Sequence, residues 1–183
     1  MQVIETTIAD VKVLAPKRFK DARGFFSEVY NQRLFREIGI DVQFVQDNHS
    51  LSAERGVVRG LHYQVEPMAQ HKLVRVVRGA IMDVAVDIRR SSPTFGRQVA
   101  VMLSADNWQQ MFIPIGFAHG FATIEPNTEV IYKVSNFYSP QHERGIRWND
   151  PGLQIAWGIR EEDAILSDRD RVHPALHGAI DLF

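Results

Sequence analysis

Apolar and polar residues alternate with period two along most of the chain. Residues 81–88 (IMDVAVDI) put Met82, Val84, Val86 and Ile88 on one face and Ile81, Asp83, Ala85 and Asp87 on the other. That pattern predicts a strand with one apolar and one mixed face. Residues 98–103 and 129–138, rich in Val, Ile, Tyr and Phe, predict further strands. Turn signals recur at short intervals: Arg78-Gly79, Ser92-Pro93, Glu125-Pro126-Asn127, Ser139-Pro140 and Asp150-Pro151-Gly152. Many short strands so spaced predict a sandwich or barrel. Helical periodicity is scarce. Asn31 is placed to cap QRLFREI, where Leu34, Phe35 and Ile38 share a face before Gly39 ends the run. Ser167 and Asp170 form a Ser-x-x-Asp cap for a short helix near the C-terminus. With no repeat, low-complexity segment or linker, residues 1–183 read as one mainly β domain with short peripheral helices.

Composition narrows the classes. Hydrophobic residues make up 45% and charged residues 23% of 183, which suits a globular domain with its own core. Twenty-one Lys and Arg against 22 Asp and Glu give a net charge of −1, so no global field attracts nucleic acid or an anionic membrane. No apolar run approaches the roughly 18 residues of a membrane span, and MQVIETTIAD lacks the basic start of a signal peptide. A cytoplasmic protein is the expectation. The absence of cysteine removes disulfides, thiolate nucleophiles and zinc–thiolate sites.

Polar residues that interrupt apolar strands are the candidates for chemistry. In IYKVSNFY, alternation groups Tyr132, Val134, Asn136 and Tyr138; in HKLVRVV it groups Lys72 with Val74 and Val76. In VRGLHYQ it groups His62 with Gly60 and Gln64, and Arg59 with Leu61 and Tyr63. Arg59 and His62 therefore share a site only if the strand bends, and Gly60 permits a bend. PIGFAHGF supplies His119 on a Pro-x-Gly-x-x-His turn, and VQDNHS is a polar cluster just before the glycine–arginine region. A cavity holding His62, Lys72, His119 and two tyrosines would combine a proton acceptor, a cation for a developing oxyanion and proton-donating phenols.

RGLHYQ, KLVRVVRGAIMDVAVDIR, PTFG, IPIGFAHGF and YKVSNFY together resemble the dTDP-4-dehydrorhamnose 3,5-epimerase family. The resemblance runs from FKDARGFFSEVYN to ILSDRDR, nearly the whole chain. It implies a cupin-type jelly roll, a homodimer whose N-terminal strands join the partner's sheet, and cofactor-free, metal-free epimerisation of a dTDP-linked 4-keto-6-deoxy sugar. By resemblance His62 is the base, Asp170 orients its imidazole, Lys72 lies by the C4 oxygen and Tyr132 returns the proton. The matching diphosphate positions are Arg23, Arg59, Lys72, His119 and Arg169, the last standing where lysine is usual. Glu28, Gln46, Asp47, Asn48 and Glu143 match ligand positions for sugar hydroxyls and thymine, and Phe26 and Tyr138 match aromatic walls.

Rival readings stay open at this level. Asp170 could serve only as a helix cap, leaving Asp83 to orient His62. A metal-dependent cupin oxygenase would need histidines to converge from among His49, His62, His71 and His119, although the usual His-x-His pair is replaced by His62-Tyr63-Gln64. A noncatalytic nucleotide-sugar binding module and a single-carbon epimerase would also use much of this residue set.

Overall fold

The computed structural model describes residues 1–183. In chain order the elements are β1 (Gln2–Ile4), β2 (Lys12–Ala15), β3 (Phe19–Asp21), β4 (Gly24–Phe26), α1 (Gln32–Glu37), β5 (Gln46–Ser52), β6 (Val58–Gln64) and β7 (Lys72–Arg78). They continue with β8 (Ala80–Asp87), β9 (Gln98–Ser104), β10 (Gln110–Ile113), β11 (Phe117–Thr123), β12 (Thr128–Val134), β13 (Glu143–Gly145) and α2 (Asp168–Arg171). Two antiparallel sheets, ordered β1-β2-β10-β7-β12-β5 and β13-β6-β11-β8-β9, form a jelly-roll sandwich; β3 and β4 make a separate hairpin.

Both helix caps take the form that the sequence predicts. The Asn31 Oδ1 accepts from the backbone N–H of Arg33 (3.0 Å) and Leu34 (3.3 Å). Helix α1 seats Phe35 with Leu14, Ile40, Leu73 and Phe112 on the outer face of the six-stranded sheet. Full burial of such a ring contributes about 1.5–3 kcal/mol. Between the sheets, Val13, Val74, Val76, Met111, Ile113 and Val130 meet Ile81, Ala85, Val99, Leu103, Phe117 and Phe121.

Strand β8 takes the apolar and mixed faces that alternation predicts. Its Ile81 and Ala85 face the core between the sheets, while Val84, Val86 and Ile88 pack on Trp148, Leu153 and Trp157. The C-terminal segment covers this second face, so alternation here separates two cores rather than core from solvent.

The strand expected over 129–138 ends at Val134. Side chains take over the backbone groups beyond it. Phe137 N–H donates to Asn136 Oδ1 (2.9 Å), Tyr138 N–H donates to Gln46 Oε1 (3.2 Å), and Phe137 O accepts from Gln64 Nε2 (3.1 Å). Local side-chain partners displace the ladder, yet Tyr138 still reaches the same cavity as Tyr132.

Candidate active site

The inner face of the six-stranded sheet is built from three strands in register. Gln46, Val134 and Lys72 lie side by side across β5, β12 and β7, and Asn48, Tyr132 and Val74 form the next row. The apolar members join the core and the polar members border open space. That space has two lobes, of about 500 and 310 Å³, and His62, Lys72 and Tyr132 line both. The larger lobe adds Ser50, Arg59, His119 and Arg169; the smaller adds Gln46, Asn48, Tyr138 and Glu143.

His62 and Arg59 reach the same lobe because β6 bulges. His62 pairs with His119 on β11 and Arg59 pairs with Phe121, so two residues of β6 oppose Gly120 alone. One extra residue reverses the side-chain parity. Gly60 has φ +121°, and a Cβ there would lie 2.5 Å from Gly120 Cα. Two facing glycines thus allow the backbones to close at the bulge. Arg59 then extends towards β5, its Nε 3.4 Å from Ser52 Oγ and its Nη2 3.3 Å from Leu51 O.

The His62 Nε2–H donates to Asp170 Oδ1 at 2.5 Å, which leaves Nδ1 as the free ring nitrogen. Asp170 is buried, and Ser167 Oγ holds its Oδ2 at 2.9 Å while accepting its backbone N–H at 3.1 Å. The helix cap and the imidazole contact therefore belong to one arrangement rather than competing. Burial pushes the Asp170 carboxyl up, but the His173 and His62 imidazoles and the Ser167 hydroxyl outweigh it and hold it below the ordinary carboxylate range. Asp83 is not the partner of His62. It is fully buried and accepts from His119 Nε2 at 2.7 Å.

Burial also sets the other protonation states. Tyr132 is pushed up, with Arg59 opposing, so its phenol keeps its proton at neutral pH. His119 is pushed down by burial despite Asp83, so its ring is neutral and its one N–H is held by that carboxylate. Lys72 falls to about 8, the Glu143 and Asp83 carboxylates opposing its desolvation, and its Nζ donates to His62 O at 3.4 Å. At the rim Tyr138 OH donates to Glu143 Oε2 (2.6 Å), and Arg169 pairs with the same oxygen.

The family model described as dTDP-4-dehydrorhamnose 3,5-epimerase matches residues 5–178. The chain belongs to that family. The dTDP-4-dehydrorhamnose 3,5-epimerase of Shigella flexneri is 56% identical over 171 residues, 93% of each chain. The Bacillus anthracis str. Ames epimerase, solved with TDP and PPi bound, superposes with a TM-score of 0.92 at 50% identity, covering 95% of this chain and 98% of its own. A Legionella pneumophila epimerase in complex with dTDP-4-keto-L-rhamnose gives a TM-score of 0.92 at 44% identity over 97% of this chain and 93% of its own. The Streptomyces bikiniensis 3'-monoepimerase in complex with dTDP-quinovose is 34% identical, with a TM-score of 0.88, covering 94% and 87%.

Not every family position gathers at the cavity of this epimerase chain. Arg23 lies in the β3–β4 hairpin, paired with Asp21 in solvent; Phe26 is 69% exposed; Glu28 accepts from Asn31 Nδ2 at 3.1 Å. Ser27 and Val29 bond Trp108 and Gln110, which places this segment beside the far strands of the six-stranded sheet. Asp47 points to the outer face and binds Lys133 Nζ at 2.8 Å, because alternation sends it opposite to Gln46 and Asn48. The four histidines of the oxygenase reading do not converge either. His49 pairs with Glu129 on the outer face and His71 stacks on Phe112.

Two residues at the site are not apparent from the sequence motifs. Ser50 continues the Gln46, Asn48 alternation into the larger lobe, and its buried Oγ has no partner. That alternation is the signal that marks it. His173 packs its ring against Gly145, edge-on to His62 with centroids 5.5 Å apart. Nothing in its local sequence marks it.

Proposed function

We propose that the chain, acting in the cytoplasm, converts dTDP-4-dehydro-6-deoxy-D-glucose to dTDP-4-dehydro-L-rhamnose by inverting C3 and C5. The observation that carries this reading is the disposition of two groups around one cavity: His62 projects from the five-stranded sheet and Tyr132 from the six-stranded sheet. Epimerisation beside a ketone needs a base on one face of the sugar and an acid on the other. The His62 Nδ1 removes the C3 or C5 proton, Asp170 stabilises the imidazolium through Nε2–H, and Tyr132 returns a proton from the opposite face. The Lys72 ammonium stabilises the enolate oxygen at C4. Arg59 and Arg169 take the diphosphate, with His119 lining the same lobe, and Gln46, Asn48, Tyr138 and Glu143 take the nucleoside end.

The test is proton exchange. In heavy water, NMR should show deuterium entering both C3 and C5 as product forms. Incorporation at one carbon would instead support a single-carbon epimerase, the activity named for the Streptomyces bikiniensis relative; binding without exchange would leave only the noncatalytic module.

Lys72 supplies a pH signature. Because its charge is lost as pH rises through about 8, kcat/KM should fall on the alkaline side with an apparent pKa near that value. Lys72→Arg should remove this limb while retaining activity. A limb unchanged in the variant would assign it to another group.

The same proposal includes a homodimer with N-terminal strand exchange. An exposed hairpin with Arg23, Phe25 and Phe26 outside its own chain's cavity suits a segment that serves a partner's cavity. Light scattering should return twice the 20.9 kDa chain mass, and Arg23→Ala should raise KM. A monomer fully active at all concentrations would contradict the dimer.

A further inference from the structure

We infer that His62, Asp170 and His173 form a site for a borderline-soft divalent cation such as Zn²⁺, and that the ion inhibits this enzyme by occupying it. The donor atoms of the three side chains lie within 4.8 Å of one another. His173 Nε2 is 3.6 Å from Asp170 Oδ1, on the oxygen that also accepts from His62 Nε2 at 2.5 Å. Tetrahedral zinc with ligands at about 2.0–2.2 Å separates its donors by about 3.3 Å. The His62–Asp170 contact must open and the His173–Asp170 contact shorten, each by less than about 1 Å, and the two imidazole nitrogens, within 4.8 Å of one another, must close by at most about 1.5 Å, which small rotations of the three side chains supply.

A second observation points the same way. His173 Nε2 is buried without a hydrogen-bond partner although it faces a carboxylate oxygen. At 3.6 Å the ring nitrogen makes only a long contact with that carboxylate, and an ion bridging the two gives both a short bond. The ring is held there by shape, since a Cβ on Gly145 would lie 2.3 Å from His173 Nε2. Two imidazoles and one carboxylate suit zinc, cobalt or nickel and not magnesium or calcium, which want more oxygen ligands. The fourth position opens to the cavity that His62 and Asp170 line.

Inhibition follows from proton placement and rests on His62 being the base. The Nε2–H of His62 now faces Asp170. When Nε2 gives its lone pair to the ion, that proton transfers through water to Nδ1, and the ring stays neutral. Nδ1 then holds a proton and accepts none from the sugar.

The experiment uses untagged, chelator-stripped protein and ZnCl₂. Calorimetry should show one zinc per chain, with activity lost in parallel, restored by EDTA and untouched by equimolar MgCl₂. His173→Phe keeps a ring against Gly145 and removes both nitrogens; zinc should bind it at least tenfold more weakly, with an equal shift in inhibition measured against its own zinc-free activity. If that variant is unfolded by circular dichroism, His173→Ala gives the same reading. Zinc binding of unchanged affinity in a folded His173 variant, or no stoichiometric binding by the native chain, would overturn the site. Calorimetry reads the site without any turnover, so absence of epimerase activity in the zinc-free native chain would strike the function alone.

Discussion

Replacing His62 with alanine should lower kcat/KM by about 10²- to 10⁴-fold, the range for loss of a general base, and should end deuterium entry at both C3 and C5. Both effects come from one step, since no enolate forms without proton removal. The loss should be chemical rather than structural. His62 is about a quarter exposed, with a side-chain accessibility of 27%, and it belongs to none of the apolar clusters, so the variant should still fold, with melting lowered by a few degrees or so for the partner lost by buried Asp170. Tyr132→Phe supplies the contrast. With the base intact, protons still leave and return from the His62 side, so exchange should continue while inversion at C5 fails. Exchange by His62→Ala within tenfold of the native rate would assign the base elsewhere. Product formation by Tyr132→Phe at the native rate would remove Tyr132 as the acid.

Gly60→Ala should be strongly damaging for a single added methyl. At φ +121° an L side chain is strained, at a cost of about 1–3 kcal/mol. The added Cβ also lies 2.5 Å from Gly120 Cα and 2.7 Å from His119 O, backbone atoms that no rotamer change can move. Overpacking of that kind costs a further 1–3 kcal/mol or so. Together these should lower Tm by about 5–20 °C, and the variant that folds should lose activity as the bulge shifts Arg59 and His62 apart. Gly39→Ala is the control. It also has positive φ, +83°, but no atom lies within 4 Å of its Cβ, so about 1 kcal/mol of strain is all it should show. Equal melting of the two variants would mean that the glycine contact at the bulge is not what this site requires.

Legibility in the sequence tracked the range of the interaction. The caps of α1 and α2 involve groups two or three residues apart and could be read directly. Alternation paired Lys72 with Val74, because a strand's own geometry sets which face each residue takes; the same geometry turns Asp47 away from Gln46 and Asn48, although the family match grouped the three. The same rule failed between Val134 and Tyr138, where Asn136, Gln46 and Gln64 side chains capture the backbone. At β8 alternation sorted the two faces, but did not show that the apolar one is covered by Trp148, Leu153 and Trp157 from more than sixty residues downstream. The choice between Asp83 and Asp170 required the fold, since one lies 36 residues from His119 and the other 108 from His62, and each histidine takes a different one.

By itself, the amino-acid sequence determined a mainly β domain, the faces of its regular strands, its helix caps and, through collinear motifs, its family. Those properties depend on near neighbours or on the whole pattern of residues, both present in the chain as written. Tertiary structure alone decided that Arg59 and His62 share a cavity, that Asp170 and not Asp83 holds His62, and that His173 shares that carboxylate. Each of these depends on how backbones meet across the sandwich, where one extra residue opposite Gly120 turns a side chain from one face to the other.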